Sequence, residues 1–264
     1  MDILLSFNPI IIVLIVATFN WLMTFFGASL VYFVKKANKK LVCIALGSSA
    51  GIMIAASFFS LLLPAKEQLE NSGKLSLLMI PFGFICGVLC LMLIDKTLPH
   101  EHAILNVQEG INPTKYSKNK LLMLAMTLHN IPEGLAVGVA FAGAVDGNYL
   151  SALILAIGIG IQNFPEGTAI SLPMLQCGKS RFQAMMYGQF SALVEVPAAL
   201  LGFIFASIAN GILPFMLCFA AGAMFFVCVE ELIPEANASE DIDLGTISFM
   251  IGFVIMMSLD ILLS

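Results

Sequence analysis

Two short polar motifs lie inside long apolar segments of the sequence and carry side chains that can bind metal ions. Residues 127–134 read TLHNIPEG and residues 160–167 read GIQNFPEG, so both contain the pattern N-x-P-E-G. An ionisable side chain at the centre of a membrane-spanning helix costs about 2.5–3.5 kcal/mol on insertion scales. The repetition of one costly motif in consecutive apolar segments indicates that the two copies share a function.

The spacing within each motif predicts which side chains share a helix face. Residues four apart lie on one face of an α-helix, which pairs His129 with Glu133 and Gln162 with Glu166. At 1.5 Å per residue, His129 lies about 15 Å into its apolar segment and Gln162 a little deeper into the next, so both approach the middle of a bilayer. Two antiparallel helices would then bring one imidazole, one amide and two carboxylates into a ring.

Three further polar residues extend this ring. Asn130 and Asn163 each stand three residues before the motif glutamate, next to the shared face. Glu195 lies in the middle of a later apolar segment, two residues before Pro197. By itself Glu195 could be a structural acid paired with a hydroxyl group, and a lone His129 would be typical of a hydrogen-bonded core histidine. The second copy of the motif and the glutamate four residues after His129 favour a site instead.

The donor atoms predict the kind of ion that such a ring binds. Imidazole nitrogen with carboxylate and amide oxygen, and without a thiolate, suits a borderline divalent ion such as Zn²⁺, Fe²⁺, Mn²⁺ or Cd²⁺. Carboxylates held together away from water repel one another unless protons or a metal ion occupy the site. A bound dication therefore explains the whole group of residues.

Each motif also contains a proline, which has no N–H and leaves the carbonyl four residues earlier without its helical donor. Pro132 and Pro165 free the carbonyls of Leu128 and Ile161 in this way. Broken helices at membrane depth are tolerated where they line a cavity and are common in transporter sites. The prolines therefore favour opened helices at the site.

The segments that carry the motifs belong to a chain whose composition suits a lipid bilayer. Of its 264 residues, 59% are hydrophobic and 11% are charged, whereas about a quarter of the residues of a soluble domain are charged. The connections between the apolar segments are short, so residues 1–264 are predicted to be one all-α transmembrane domain. The net charge of −5 says nothing about nucleic acid, and no nucleic acid partner is expected. Segments of about 20 apolar residues predict eight transmembrane helices, at 9–34, 42–64, 75–98, 119–145, 149–174, 183–208, 212–233 and 244–263.

The distribution of basic residues predicts the orientation of these helices. Of the 12 Lys and Arg residues, all but Lys66 and Lys74 fall on one side of the predicted membrane. Because cytoplasmic loops carry the excess of positive charge, that side is predicted to face the cytoplasm. An even number of helices then places both termini outside, in a multi-pass protein of the plasma or inner membrane.

The motif at residues 129–134, HNIPEG, and the eight predicted helices resemble the ZIP (Zrt-, Irt-like) family of divalent-metal transporters, in particular its prokaryotic GufA-like branch. The resemblance implies an eight-helix bundle with a binuclear site between helices 4, 5 and 6. It implies that the first metal is held by His129, Glu133, Gln162 and Glu166. It implies that the second is held by Asn130, Glu133, Asn163, Glu166 and Glu195, with the two motif glutamates bridging.

The resemblance also implies how the ion moves. Helices 1, 4, 5 and 6 would slide as an elevator against helices 2, 3, 7 and 8, and the protein could form a homodimer. An outer path would pass Met53, Ser60 and Glu67, and an exit would pass Glu230 and Glu231. The expected function is transport of Zn²⁺, and of Cd²⁺, Fe²⁺ or Mn²⁺, into the cytoplasm by alternating access.

Two other classes of function use similar residues. A membrane-embedded metallohydrolase would employ Glu133 or Glu166 as general base, but such sites commonly use several His ligands, and one intramembrane His is present. A metal-gated channel or a metal sensor stays an alternative function, because the identity of the ligands does not reveal whether ions flow through the protein. His100 and His102 could collect metal in a loop or be solvated. No phosphate-binding G-x-x-x-x-G-K-[ST] motif appears, so neither ATP nor a resident cofactor is expected.

Overall fold

The computed structural model describes residues 8–34, 39–70, 73–101, 108–109, 118–144, 149–208, 211–238 and 242–263. Within this part of the chain, eight long helical segments follow one another, called spans 1–8 below. Seven of the spans are long and apolar enough to cross a membrane. Span 4, which carries the first motif, has 26 residues and so a length of about 39 Å. The predicted all-α membrane bundle is confirmed.

Several spans consist of more than one helical element. Span 1 is α1 (Pro9–Ser29) with a 3₁₀ turn (Leu30–Tyr32), span 2 is α2 (Lys39–Ala56), a π turn (Ser57–Leu62) and α3 (Leu63–Leu69), and span 3 is a 3₁₀ turn (Ser76–Leu78) with α4 (Met79–Thr97). Span 4 is α5 (Lys118–Gly143), span 5 is α6 (Leu150–Gln176), and span 6 is α7 (Arg181–Ser191), a 3₁₀ turn (Ala192–Val194) and α8 (Glu195–Ile208). Span 7 is α9 (Leu213–Val227), a π turn (Cys228–Leu232) and α10 (Ile233–Ala236), and span 8 is α11 (Ile242–Leu263). After span 3, β1 (His100–Glu101) pairs antiparallel with β2 (Gln108–Glu109).

The helices of spans 2 and 7 extend beyond the predicted ends of these spans, near residues 64 and 233, because both helices continue past a proline. In span 2 the N–H of Leu63 bonds to the carbonyl of Phe58, five residues back, which widens the turn just before Pro64. The widened turn already departs from the i to i−4 bonding pattern that a proline would break. A π turn precedes Pro234 in the same way. The helices therefore continue to Leu69 and Ala236.

Spans 1, 4, 5 and 6 pack closely on one another through glycines. A Cβ added to Gly138 in span 4 would overlap the backbone of Ala199 in span 6. A Cβ added to Gly167 in span 5 would overlap the carbonyl oxygen of Thr24 in span 1. Gly188 in span 6 lies against spans 1 and 5, so the pair of spans 4 and 6 is joined to the pair of spans 1 and 5. We call these four spans the motif group.

Spans 2, 3, 7 and 8 pack in the same manner. A Cβ on Gly51 in span 2 would overlap the carbonyl of Phe249 in span 8, and spans 3 and 7 approach each other at Gly87 and Gly222. Gly245 in span 8 lies against the backbone of span 7 and joins the two pairs. We call these four spans the flanking group. Close backbone approach at small residues is the usual way in which membrane helices gain packing energy.

The contacts between the two groups are different. Of the glycines in the described residues, only Gly143 and Gly158 face the other group, and they meet the side chains of Leu213 and Met256 respectively. The Ser49 hydroxyl in span 2 donates a hydrogen bond to the backbone carbonyl of Gln162 in span 5, at 3.1 Å. At these two glycines, therefore, the groups meet through side chains rather than through interlocked backbones.

Candidate metal centre

Spans 4, 5 and 6 bring all the predicted site residues into the interior of the molecule. None of them is more than 3% exposed. They are His129, Asn130, Glu133, Gln162, Asn163, Glu166 and Glu195. Since polar side chains in a membrane interior need partners of their own, the contacts among these residues decide what the site can do.

The two sequence motifs face each other across spans 4 and 5, as their spacing predicts. The Gln162 amide nitrogen donates to Glu133 Oε1 at 2.8 Å and to Glu166 Oε2 at 2.5 Å. The Asn130 amide nitrogen donates to Glu166 Oε1 at 3.3 Å. Side chains from both motifs thus form one hydrogen-bonded cluster, in which the Gln162 amide lies between two carboxylates.

Span 6 adds the third carboxylate beside this cluster. The Asn163 amide nitrogen lies 2.9 Å from both carboxylate oxygens of Glu195 and also donates to the backbone carbonyl of Asn20 at 3.2 Å. A Cβ on Gly134 would lie 2.8 Å from the Cα of Glu195. The motif glycine therefore allows span 6 to approach closely enough to place Glu195 against the motifs.

Several nitrogen and oxygen atoms in this interior that could bind a metal ion have no hydrogen-bond partner among the described residues. They are both ring nitrogens of His129, Glu133 Oε2, Gln162 Oε1 and Asn163 Oδ1. An unsatisfied buried polar group costs about 1–3 kcal/mol, so a cluster of them requires an explanation. Their lone pairs are the nitrogen and oxygen donors that a borderline divalent ion prefers. The residues present therefore fit the predicted cargo.

The amides determine the spacing of the cluster. Within the described part of the chain, no three His, Cys, Asp or Glu side chains are grouped so as to hold a metal ion by themselves. The NH₂ group of Gln162 occupies the position between Glu133 and Glu166 instead. If the amide turns over, its unpartnered oxygen points to that position and supplies a third oxygen donor. The assignment of these residues as metal ligands stays a prediction.

The prolines do not open the helices. Pro132 lies inside the continuous helix α5, and Pro165 and Pro173 lie inside the continuous helix α6. The prediction that the motif prolines open these helices is therefore wrong. Packing against neighbouring helices keeps a proline-containing membrane helix intact. Gly134 and Gly167, two residues after the motif prolines, provide such packing against spans 6 and 1.

Span 7 contributes a residue next to the first motif. Glu231 Oε1 lies 3.9 Å from His129 Nε2, and the Glu231 side chain is buried, whereas its neighbour Glu230 is exposed. The predicted exit pair is therefore split between the interior and the surface. The π turn places Glu231 at this point, and its position could not be read from a regular helical period.

The predicted outer path is only partly buried. Met53 is enclosed, the Ser60 hydroxyl donates to Asp260 Oδ2 at 2.6 Å, and Glu67 is exposed. Of the loop histidines, the backbone of His100 lies in β1, and His102 lies outside the described residues. Sequence reasoning missed Asn20 in span 1, although an asparagine within the apolar segment 9–29 was a visible signal.

Comparison with known proteins identifies relatives over most of the chain. A family model described as "ZIP Zinc transporter" matches residues 116–260. "Zinc transporter ZIP11" of Xenopus tropicalis is 34% identical, over 97% of this chain and 98% of its own length. "Zinc transporter GufA" of Myxococcus xanthus is 38% identical over 76% and 79%, and "Zinc transporter ZupT" of Clostridium perfringens is 32% identical over 95% of each.

These matches confirm the resemblance to the ZIP family and its GufA-like members that the motifs indicate. They also confirm the prediction that the chain is not an enzyme, because the relatives are named as transporters. The metallohydrolase alternative is therefore not supported. On the family match and the similarity along nearly its whole length, the chain belongs to the ZIP zinc transporter family.

Proposed function

We propose that this protein carries Zn²⁺ across the membrane into the cytoplasm through the buried cluster of spans 4, 5 and 6. The observation that carries the proposal is the set of nitrogen and oxygen donors in the interior that lack hydrogen-bond partners within the described residues. A divalent ion would satisfy these donors and neutralise the carboxylates beside them. The relatives named as zinc transporters support Zn²⁺ as the cargo, and the same donors accept Cd²⁺, Fe²⁺ and Mn²⁺.

We propose that the cluster binds two ions. The first position lies between the motifs, where Gln162 bridges Glu133 and Glu166. The second lies toward span 6, where Asn163 contacts Glu195. Glu166 contacts Asn130 as well as Gln162, so its carboxylate reaches toward both motifs. The proposed bridging role of Glu166 rests on these two contacts, and that of Glu133 rests on the resemblance to the family.

The proposed direction of transport is inward, with both termini outside the cell membrane. The excess of Lys and Arg on one side of the chain supports this orientation. A dication that moves inward through 100 mV gains about 4.6 kcal/mol, twice the 2.3 kcal/mol per elementary charge. Inward flux then needs no nucleotide. The homodimer that the resemblance implies stays a prediction.

Alternating access is the proposed mechanism, with the motif group moving against the flanking group. Close backbone contacts at glycines hold each group together, whereas the glycines that face the other group meet side chains. Polar contacts between the groups include the hydrogen bond of Ser49 and the approach of Glu231 to His129. Rotamer changes cost little compared with the separation of interlocked backbones, so this boundary suits relative movement. All seven proposed ligands belong to the motif group and would travel with it.

The test is metal influx into liposomes that contain the purified protein and a metal-sensitive dye. Glu166→Ala and His129→Ala should abolish saturable Zn²⁺ influx, because each removes a donor at the first position. The matched control is Glu70→Ala, which removes an exposed carboxylate paired with Lys66 and should leave influx unchanged. Unaltered influx in folded Glu166→Ala would overturn the proposed path. Tight metal binding without flux in the parent protein would indicate a sensor, and flux that never saturates would indicate a channel.

A further inference from the structure

Asn20 in the middle of span 1 is a buried amide that takes no part in the hydrogen-bonded cluster. Its side chain is 0% exposed, and neither its oxygen nor its nitrogen has a hydrogen-bond partner in the described residues. An amide in a membrane interior normally bonds across a helix interface, where it strengthens packing. A purely structural role therefore does not explain this side chain.

The position of Asn20 is next to the second motif. Asn20 Oδ1 lies 3.2 Å from the place where Gly160 would carry a Cβ, beside the ring of Phe19, whose Cε1 lies 2.6 Å from the same place. Gly160 and Asn163 are three residues apart and share a face of span 5. The Asn163 amide nitrogen also donates to the backbone carbonyl of Asn20 at 3.2 Å. Span 1 thus holds its amide against the Asn163 end of the cluster.

The donors at this end are oxygen atoms from three spans. Asn163 Oδ1 is a second amide oxygen without a partner among the residues described, and the Glu195 carboxylate lies 2.9 Å from the nitrogen of the same amide. Two neutral amide oxygens and one carboxylate form a ligand set that divalent cations accept. Neutral ligands add coordination without adding a buried charge.

We propose that Asn20 supplies an amide oxygen to the transported ion at the second position, together with Asn163 and Glu195. The proposal rests on the proposed function, since it adds a ligand from span 1 to the same site. It assigns span 1 a direct contact with the cargo. Gly160, which has no side chain, leaves space at this contact for Phe19 and Asn20.

Replacement of Asn20 by cysteine tests the contact directly. If position 20 lies within coordination distance, Cd²⁺ added to the purified Asn20→Cys variant will bind the new thiolate and produce a thiolate-to-metal absorption band in the ultraviolet. The parent protein provides the background of the six native cysteines. The matched control is Val13→Cys, which is equally buried on the same helix but seven residues away, about 10 Å along the axis, and should give no new band.

Equilibrium binding of Cd²⁺ supplies a second readout. Asn20→Leu keeps the size of the side chain and removes the donor, so its affinity should fall by about tenfold or more, the range seen when groups that support a metal site are removed. Asn20→Asp keeps an oxygen donor and should bind at least as tightly as the parent, which separates the loss of a ligand from misfolding. The proposal for Asn20 would be overturned if Asn20→Cys gave no new band and Asn20→Leu bound Cd²⁺ as tightly as the parent. The proposed function would survive that result as long as the parent protein binds and transports the metal. A parent that binds no Cd²⁺ would overturn both.

Discussion

The contact of span 4 with span 6 differs in kind from the contact of span 5 with span 8. In the first, Gly138 and Gly202 bring backbone against backbone, so any added carbon atom would collide with a main chain. In the second, Gly158 faces the sulfur and methyl group of Met256, a flexible side chain that can turn away. The first contact fixes the relative position of two helices, whereas the second permits several positions. A molecule that has both kinds of contact can keep the residues of a binding site in fixed relative positions and still move the whole site.

The largest effect should come from a substitution at a backbone contact. Gly138→Ala would place a methyl group on the backbone of Ala199, and we expect a loss of stability of about 3 kcal/mol or more, since the helices must separate. Gly158→Ala meets the Met256 side chain, which can turn away, and should cost about 1 kcal/mol, the low end of the range for an overpacked site. Thermal unfolding in detergent measures both. Equal unfolding temperatures would show that the two contacts do not differ.

A covalent link between the groups should stop transport without unfolding the protein. The Cβ position at Gly158 lies 3.8 Å from Met256 Cγ, the place that a cysteine sulfur would take, so we expect oxidation to join cysteines at the two positions. We expect oxidation of the double variant Gly158→Cys and Met256→Cys to reduce influx to that of liposomes without protein, and reductant to restore it. The single variants are the controls. Full influx in the oxidised double variant would exclude sliding at this boundary.

A smaller effect is expected where one hydrogen bond crosses between the groups. Ser49→Ala removes the bond to the Gln162 carbonyl, and interhelical bonds in membranes contribute about 0.6 kcal/mol on average. The loss should change the initial rate of influx severalfold at most, because the bond stabilises one arrangement of the groups. The control is Ser48→Ala, whose hydroxyl bonds to Ala45 in its own helix. Equal changes in rate for both variants would contradict a role at the boundary.

Much of the site could be predicted from local spacing alone. His129 and Glu133, and likewise Gln162 and Glu166, are four residues apart, and this interval fixes their common face in any helix. The depth of both motifs in apolar segments then predicts that antiparallel neighbours meet, and the bond between Gln162 and Glu133 agrees with that prediction. Contacts of this kind depend on helix geometry and length, which the sequence specifies directly.

The remaining features depend on long-range packing that no local pattern contains. Asn20 and Glu231 reach the site because span 1 packs on span 5 and span 7 packs beside span 4, and those pairings follow from where glycines meet in three dimensions. Pro132 and Pro64 are comparable in the sequence, yet the first lies within a regular helix and the second follows a π turn. Neighbouring helices decide between these outcomes.

The π turn of span 7 also constrains how this chain can change in length. Buried residues recur there every four positions, as at Val227, Glu231 and Glu235, and a regular helix of 3.6 residues per turn would drift away from that interval. The widened turn acts as one inserted residue that keeps the face directed inward. Deletion of a single residue within this turn would restore the regular period and rotate the rest of the span by about 100°. Glu235 would then turn from the interior toward lipid, so the insertion is part of the architecture that later sequence changes must preserve.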